Sequence, residues 1–494
     1  MKAKTSLVLG PIWKIAIAVL ISGAALPAAA QTCTVTNAAG NNAIYGNCSG
    51  STVKPQGSAA YIDASAVTAG ADFCATLFNI IRGSSYPGYP ANGAVIDARG
   101  IVPTACGVNS TPWVGLVGST VTATTNPATI LLPAGTISIS TTWILPKYSR
   151  IVGEGPALTT ITPASGFAAG QDGVDAMIEM GTVTTNTLFD SFCSGTPTTG
   201  PGNDCVGVGV QDLTLNLAGL AISYGILNPA SQETSYVDNV TFNNVGNTSS
   251  SNSTLALAMV DASGGSGASN SGPYSNLVCN IASGAASATN ACVSLQAHTR
   301  GVHGISCYGN GTPTAAIYLD SDMNSIEDVY VNGFDNGVLI GSGYNGSNTA
   351  LQAPSNLLFN ISGGSSVTEL VHITDNTTTS SNPICPQHYT ACDETIMNVT
   401  AAAGTTIQDD IMSTTLTVTG SDSSVGMYFL GEQIGGNTTP AQYTRFTSSP
   451  RVPTWGSGTS TPSSTCSGTG SLYSNVSSSA GGLYACIGSW TKIP

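Results

Sequence analysis

The sequence predicts an all-β chain wound as a parallel solenoid. Two observations carry this. An internal repeat recurs at a step of 21–27 residues, and each copy alternates apolar and polar residues at period two. No amphipathic stretch of helix length separates the copies, so strand–helix–strand crossovers are excluded. Composition agrees: only 8% of the 494 residues are charged, and 58 are glycine. Low charge and small polar side chains suit coils whose outward residues stack on their own kind, about 4.8 Å apart.

The repeat is read from four segments: Val210–Asn216, Val237–Asn243, Val302–Tyr308 and Ile326–Asn332. Each opens on a β-branched residue, continues with a polar pair and ends in apolar–polar–apolar alternation. Their starts are 27, 65 and 24 residues apart. The long step leaves room for intervening coils or an insertion, and the Gly/Ser-rich run at 262–272 reads as an insertion. A second set of short apolar runs, Val293–Leu295, Ile317–Leu319 and Val338–Ile340, follows the same rhythm. Cys307 falls on the inward position of Leu215, Phe242 and Val331, so a buried thiol is expected.

The first residues read as a targeting segment. Lys2, Lys4 and Lys14 precede an apolar run from Ile15 to Leu26 and the small-residue signal Ala28-Ala29-Ala30. That is the pattern of a signal peptide over 1–30, and the apolar run is too short to span a bilayer. The expected location is secreted or extracellular, with periplasm or cell surface as variants. The remaining chain holds nine basic and 26 acidic residues, a net charge of −17. Nucleic acid and anionic lipid both need clustered Lys and Arg, so neither is an expected partner. Thirteen cysteines in an exported chain suggest disulfides. Sequence neighbours give Cys33–Cys48, Cys74–Cys106, Cys193–Cys205, Cys279–Cys292, Cys385–Cys392 and Cys466–Cys486, although connectivity is not fixed by sequence.

The N-terminal third carries a family likeness. Asp72–Ile81 reads as a short helix, followed by Ala94–Gly100, Ile130-Leu-Leu-Pro-Ala-Gly-Thr136 and Ile151-Val-Gly-Glu-Gly155. This text resembles the opening of the pectate-lyase superfamily of polygalacturonase-like and pectate-lyase-like secreted proteins. The resemblance implies a right-handed parallel β-helix over 71–446, with a capping helix at its N-terminal end. Gly100, Gly135, Gly153 and Gly155 are then expected at turns needing positive φ. A disulfide-bearing segment, 31–70, precedes the solenoid. A Ser/Thr/Gly/Pro-rich linker, 447–465, leads to a small C-terminal β module at 466–494, a candidate for binding, capping or homo-oligomerisation. Trp490 in that module is a candidate sugar-stacking residue.

The same resemblance directs the search for chemistry toward polysaccharide. Hydrolases use paired carboxylates; lyases need a base and often Ca²⁺. The polygalacturonase order of motifs is missing, and Gly301-Val-His-Gly304 is only a fragment of it. Stacking the 24-residue coils sets Gln296 beside Asp320, His298 beside Asp322, Arg300 beside Asn324, and His303 beside Glu327. Asp320, Asp322 and Glu327 are candidate acids and bases, and His298 or His303 a candidate base. Arg300 is a candidate clamp for a uronate carboxylate. Gln296 and Asn324 are candidate substrate contacts, and Asp320 and Asp322 would be the ligands if Ca²⁺ is used. The competing reading is a solvated polar ladder on a non-catalytic adhesive, structural or tailspike-like glycan-binding protein.

Overall fold

The computed structural model describes most of residues 60–193, 205–341 and 356–374, with strand segments between 33 and 45 and between 395 and 492. The expected signal peptide, Cys48, Cys385, Cys392 and Cys466 lie outside the described residues. Among those described, two long sheets run side by side along the chain. A fourteen-stranded sheet begins at Ala60–Asp63 and Ala94–Asp97 and continues through Gly209–Asn216, Tyr236–Val245, Tyr274–Ile281, Val302–Tyr308, Ser325–Asn332 and Leu357–Gly363. A ten-stranded sheet contains Ala176–Met180, Tyr224–Asn228, Leu255–Val260, Ala291–Gln296, Ala315–Leu319, Asn336–Ile340 and Glu369–Ile373. The chain alternates between them, and neighbours within each sheet are parallel until the last strand of each, which is antiparallel. This is a right-handed parallel β-helix.

Each coil bends once inside the larger sheet. Asp212, Asn239, Asn276, Gly304, Asp328 and Asn360 are left-handed, with φ of 57, 51, 55, 67, 55 and 56°. Asp212, Asn239, Gly304 and Asp328 stand third in the four repeat copies, and Asn276 and Asn360 take the same place in two further coils. Asp, Asn and Gly tolerate this conformation best, so the pattern selects them. The bend divides each strand into two faces. Accordingly, Arg150–Val152 pairs with the first half of Gly209–Asn216, and Thr159–Ala168 with the second. Side chains tie successive bends together: Asn239 Nδ2 donates to Asp212 Oδ1 at 2.6 Å, and Asn360 Nδ2 to Asp328 Oδ1 at 2.6 Å.

The interior is a set of aliphatic stacks. Ile178, Ile226, Leu257, Val293, Ile317, Val338 and Val371 stand in register and are buried. The predicted stack of Leu215, Phe242, Cys307 and Val331 is present, with Cys279 inserted between Phe242 and Cys307. The 65-residue step holds one further coil, whose strand starts at Tyr274. Its phenol is buried and pairs with Asn228 and Ser271. Cys307 is free and fully buried, and desolvation pushes its thiol well up.

Three expected disulfides are formed: Cys74–Cys106, Cys193–Cys205 and Cys279–Cys292. The expected helix spans Phe73–Ile81, capped by Asp72, whose carboxylate accepts from the Ala75 N–H. It buries Leu77, Ile80 and Ile81 in the core. Three expectations shift. The stack starts at Ala60 rather than 71, because Ala60–Asp63 pairs with Ala94–Asp97. Of the four glycines, Gly135 and Gly155 are left-handed, whereas Gly100 and Gly153 are not. Gly153 is required by close approach: a Cβ there would stand 2.1 Å from the Asp212 carbonyl oxygen. The expected linker contains a strand, Trp455–Gly458, paired with Leu472–Asn475 in a four-stranded sheet that also holds Gly482–Cys486 and Trp490–Lys492. Trp favours strands strongly enough to override its Gly/Ser-rich surroundings.

Candidate functional site

The outer side of the ten-stranded sheet carries one row in register: Glu179, Leu227, Ala258, Ser294, Tyr318, Leu339, His372 and Gln408. These positions alternate with the inward stack, so they face away from the core. Yet Glu179 through Leu339 are all at most 6% exposed. Leu227, Ala258, Tyr318 and Leu339 join Ala176, Leu255, Ala291 and Ala315 in a second apolar cluster, separate from the main core. The face is therefore covered and dry.

Buried polar atoms without hydrogen-bond partners collect on this face. They are both carboxylate oxygens of Glu179, Ser294 Oγ, Asn336 Oδ1 and Asp320 Oδ2. An orphaned buried polar atom costs about 1–3 kcal/mol, so a group of them on one face points to a functional demand. Asp320 follows directly after Ala315–Leu319, and its N–H donates to the Leu295 carbonyl at 2.8 Å. Burial raises its carboxyl to about 7. Tyr318 lies two residues earlier on the same side; burial and the Asp320 charge raise its phenol to about 12. Ser294 stands in register with Tyr318 one coil away. Glu179 is raised well above the usual range, first by burial and then by Asp172, which itself accepts from Thr182 Oγ1. By register Glu179 is four coils from Tyr318, or about 19 Å at 4.8 Å per coil. That exceeds the roughly 5–9.5 Å separating catalytic carboxylate pairs, so Glu179 and Asp320 do not form such a pair.

The sequence-predicted strip is divided by a corner. Gln296 is half-buried at the end of its strand, level with Asp320, as expected. His303 and Glu327 are in register, also as expected, but they lie on the larger sheet, past the turn. There Glu327 accepts from Ser325 Oγ at 2.6 Å. Asn324 is buried in the turn itself. Its Oδ1 accepts from the Thr299 N–H at 2.9 Å. Its Nδ2 donates to Ser321 Oγ, and Asn356 Oδ1 accepts its own N–H. Asn324 thus fixes the corner. His298, Arg300 and Asp322 lie outside the described residues. Trp490 is half-buried in the small C-terminal sheet, opposite Cys486. No three His, Cys, Asp or Glu side chains gather as a metal site among the described residues. No helix among them is long and apolar enough to cross a membrane.

Tyr318, Ser294 and Glu179 were missed by the sequence reading. The signal was present: each is a lone polar side chain at the outward position of an apolar strand, as in Val293-Ser294-Leu295 and Ile317-Tyr318-Leu319.

A family model described as rhamnogalacturonase A/epimerase, pectate lyase-like, matches residues 116–339. Over that span the chain is similar to pectate-lyase-like β-helix proteins. The matched span contains the whole row from Glu179 to Leu339 and Asp320. Among solved structures, the chain is similar to the ORF18 protein of Geobacillus virus E2, at 12% identity and a TM-score of 0.27. That match covers 88% of this chain and 86% of the viral one. No curated protein matches the chain.

Proposed function

We propose that this pectate-lyase-like protein is an exported enzyme that cleaves polysaccharide at the edge of this covered face, beside half-buried Gln296, as a glycoside hydrolase with Asp320 as general acid. The observation that carries the reading is the Asp320 carboxyl, 6% exposed, with Oδ2 unpartnered and its pKa near neutral. A carboxyl that keeps its proton up to about 7 can deliver it to a leaving glycosidic oxygen. Tyr318 and Ser294 supply hydroxyls beside it, and Gln296 an amide. Asp322, two residues on, is the candidate second carboxylate. Arg300 and His298 are the candidate contacts for an acidic sugar. The three disulfides support export.

The test incubates the full chain with a panel of plant, algal and bacterial polysaccharides. New reducing ends and unsaturated-uronate absorbance are followed together. New ends alone, lost in Asp320→Asn, are the expected result. Absorbance accompanying the ends would replace hydrolysis by elimination. Silence in both channels from folded protein would leave a non-catalytic glycan-binding protein.

A further inference from the structure

Two tyrosines break rows that otherwise hold no aromatic side chain. Beyond the left-handed bend, one outward row of the larger sheet runs Thr214, Thr241, Val278, Ser306, Tyr330, Ser362. The next outward row holds Asn216, Asn243, Asn280, Tyr308 and Asn332. In a solenoid such rows gain by repeating one residue type, because like amides bond to like. Asn280 Nδ2 does so, donating to Asn243 Oδ1 at 2.8 Å. Tyr308 forgoes that bond in the next coil.

Neither ring is needed for packing. The inward neighbours Cys307, Val329 and Val331 already fill the core. Tyr308 and Tyr330 remain 42% and 37% exposed, and their ring centroids lie 5.8 Å apart at 51°. Gly364 packs closely beside them: a Cβ there would stand 3.0 Å from the Tyr330 hydroxyl and 2.3 Å from Asn332 Oδ1. Asn332 Oδ1 is itself buried without a partner. Only Gly333–Asp335 separate Asn332 from Asn336, which opens the next strand of the ten-stranded sheet. The patch therefore adjoins the edge of the covered face.

We propose that Tyr308 and Tyr330, with the half-buried amide of Asn280, form a second glycan-binding platform on the larger sheet. It rests on the reading that the chain handles polysaccharide. Tyrosine presents an apolar ring face to sugar C–H groups and a hydroxyl to water or sugar. An amide offers both a donor and an acceptor to neighbouring sugar hydroxyls. Glu327 stands just before the bend, and the exposed Asp328 forms it. Their charge disfavours uronates, so the units bound are neutral sugars.

The test is affinity gel electrophoresis of the full chain carrying Asp320→Asn, so that the polymer survives the run. The gels contain dextran, xylan, galactan or polygalacturonate. At least one neutral polymer should retard the protein. Adding Tyr308→Ala and Tyr330→Ala should weaken that retardation about tenfold or more, with an unchanged circular dichroism spectrum. The platform is wrong if no neutral polymer retards the folded protein, or if the double tyrosine change leaves retardation intact. Retardation by polygalacturonate that depends on the tyrosines would overturn the neutral-sugar assignment. Undiminished cleavage by Asp320→Asn would instead sink the proposed catalytic role and leave the platform standing.

Discussion

Asp320 shows how burial sets protonation at a single residue. Its carboxyl rises from 3.8 to about 7 because the covered face strips its water. Between those values the native state holds a proton that the unfolded chain has lost. Native stability therefore falls as pH rises through that window, by about 4 kcal/mol for a three-unit shift. Asp320→Asn removes this penalty. The variant should melt at a higher temperature than the parent at pH 8, equal it near pH 4, and lose turnover. A gain at pH 8 no larger than at pH 4 would refute the burial argument. In the parent, cleavage should decline above about pH 7 as the acid deprotonates. A rate that climbs through pH 7 would mean a base and favour elimination. Glu179→Gln should also stabilise above neutral pH without altering the site at Asp320, as read by thermal melts and turnover side by side. Of these groups, only Asp320 was legible in the sequence, through its register with Gln296. Tyr318, Ser294 and Glu179 were hidden because an outward polar residue in a strand ordinarily reads as solvated. Only the structure shows that this outward side is dry.

The element that organises each coil is the left-handed bend. The sequence displayed it as a recurring polar pair, but periodicity does not reveal why the second member is Asp, Asn or Gly. The reason is steric, and it is testable. Asp328→Val puts a β-branched residue at φ 55° and should cost about 1–2 kcal/mol in chemical denaturation. Asp328→Asn should cost little, as Asn occupies the same place in three other coils. Equal losses for the two would refute the steric argument, because Asn keeps an oxygen to accept from Asn360. The strand at Tyr274 escaped the repeat search because a large aromatic replaces the β-branched opener. Its phenol needs Asn228 and Ser271 as partners, and no pattern within one strand announces that.

At the scale of the molecule, the stack behaves as a column of nearly independent layers. Coil period and inward stacks were legible because nearest-neighbour packing writes itself into spacing. The corner between Asp320 and His303 was not, since a turn that changes face leaves no periodic trace. Val302 and Ile326 are in register, so deleting residues 302–325 removes one whole coil and lets Ile326 sit upon Tyr274. The shortened chain should keep its β spectrum and a cooperative melt, and lose all cleavage together with Tyr318 and Asp320. Collapse to an unfolded spectrum would contradict the layered picture. The three-residue corner at Gly333–Asp335 has a further consequence. With so little chain to flex, the two faces it joins are held at a fixed spacing. A polymer tethered on one face meets the other at an effective concentration set by its own length. Long substrates should then be processed at lower bulk concentration than short ones, an avidity that no oligosaccharide below the spanning length can share.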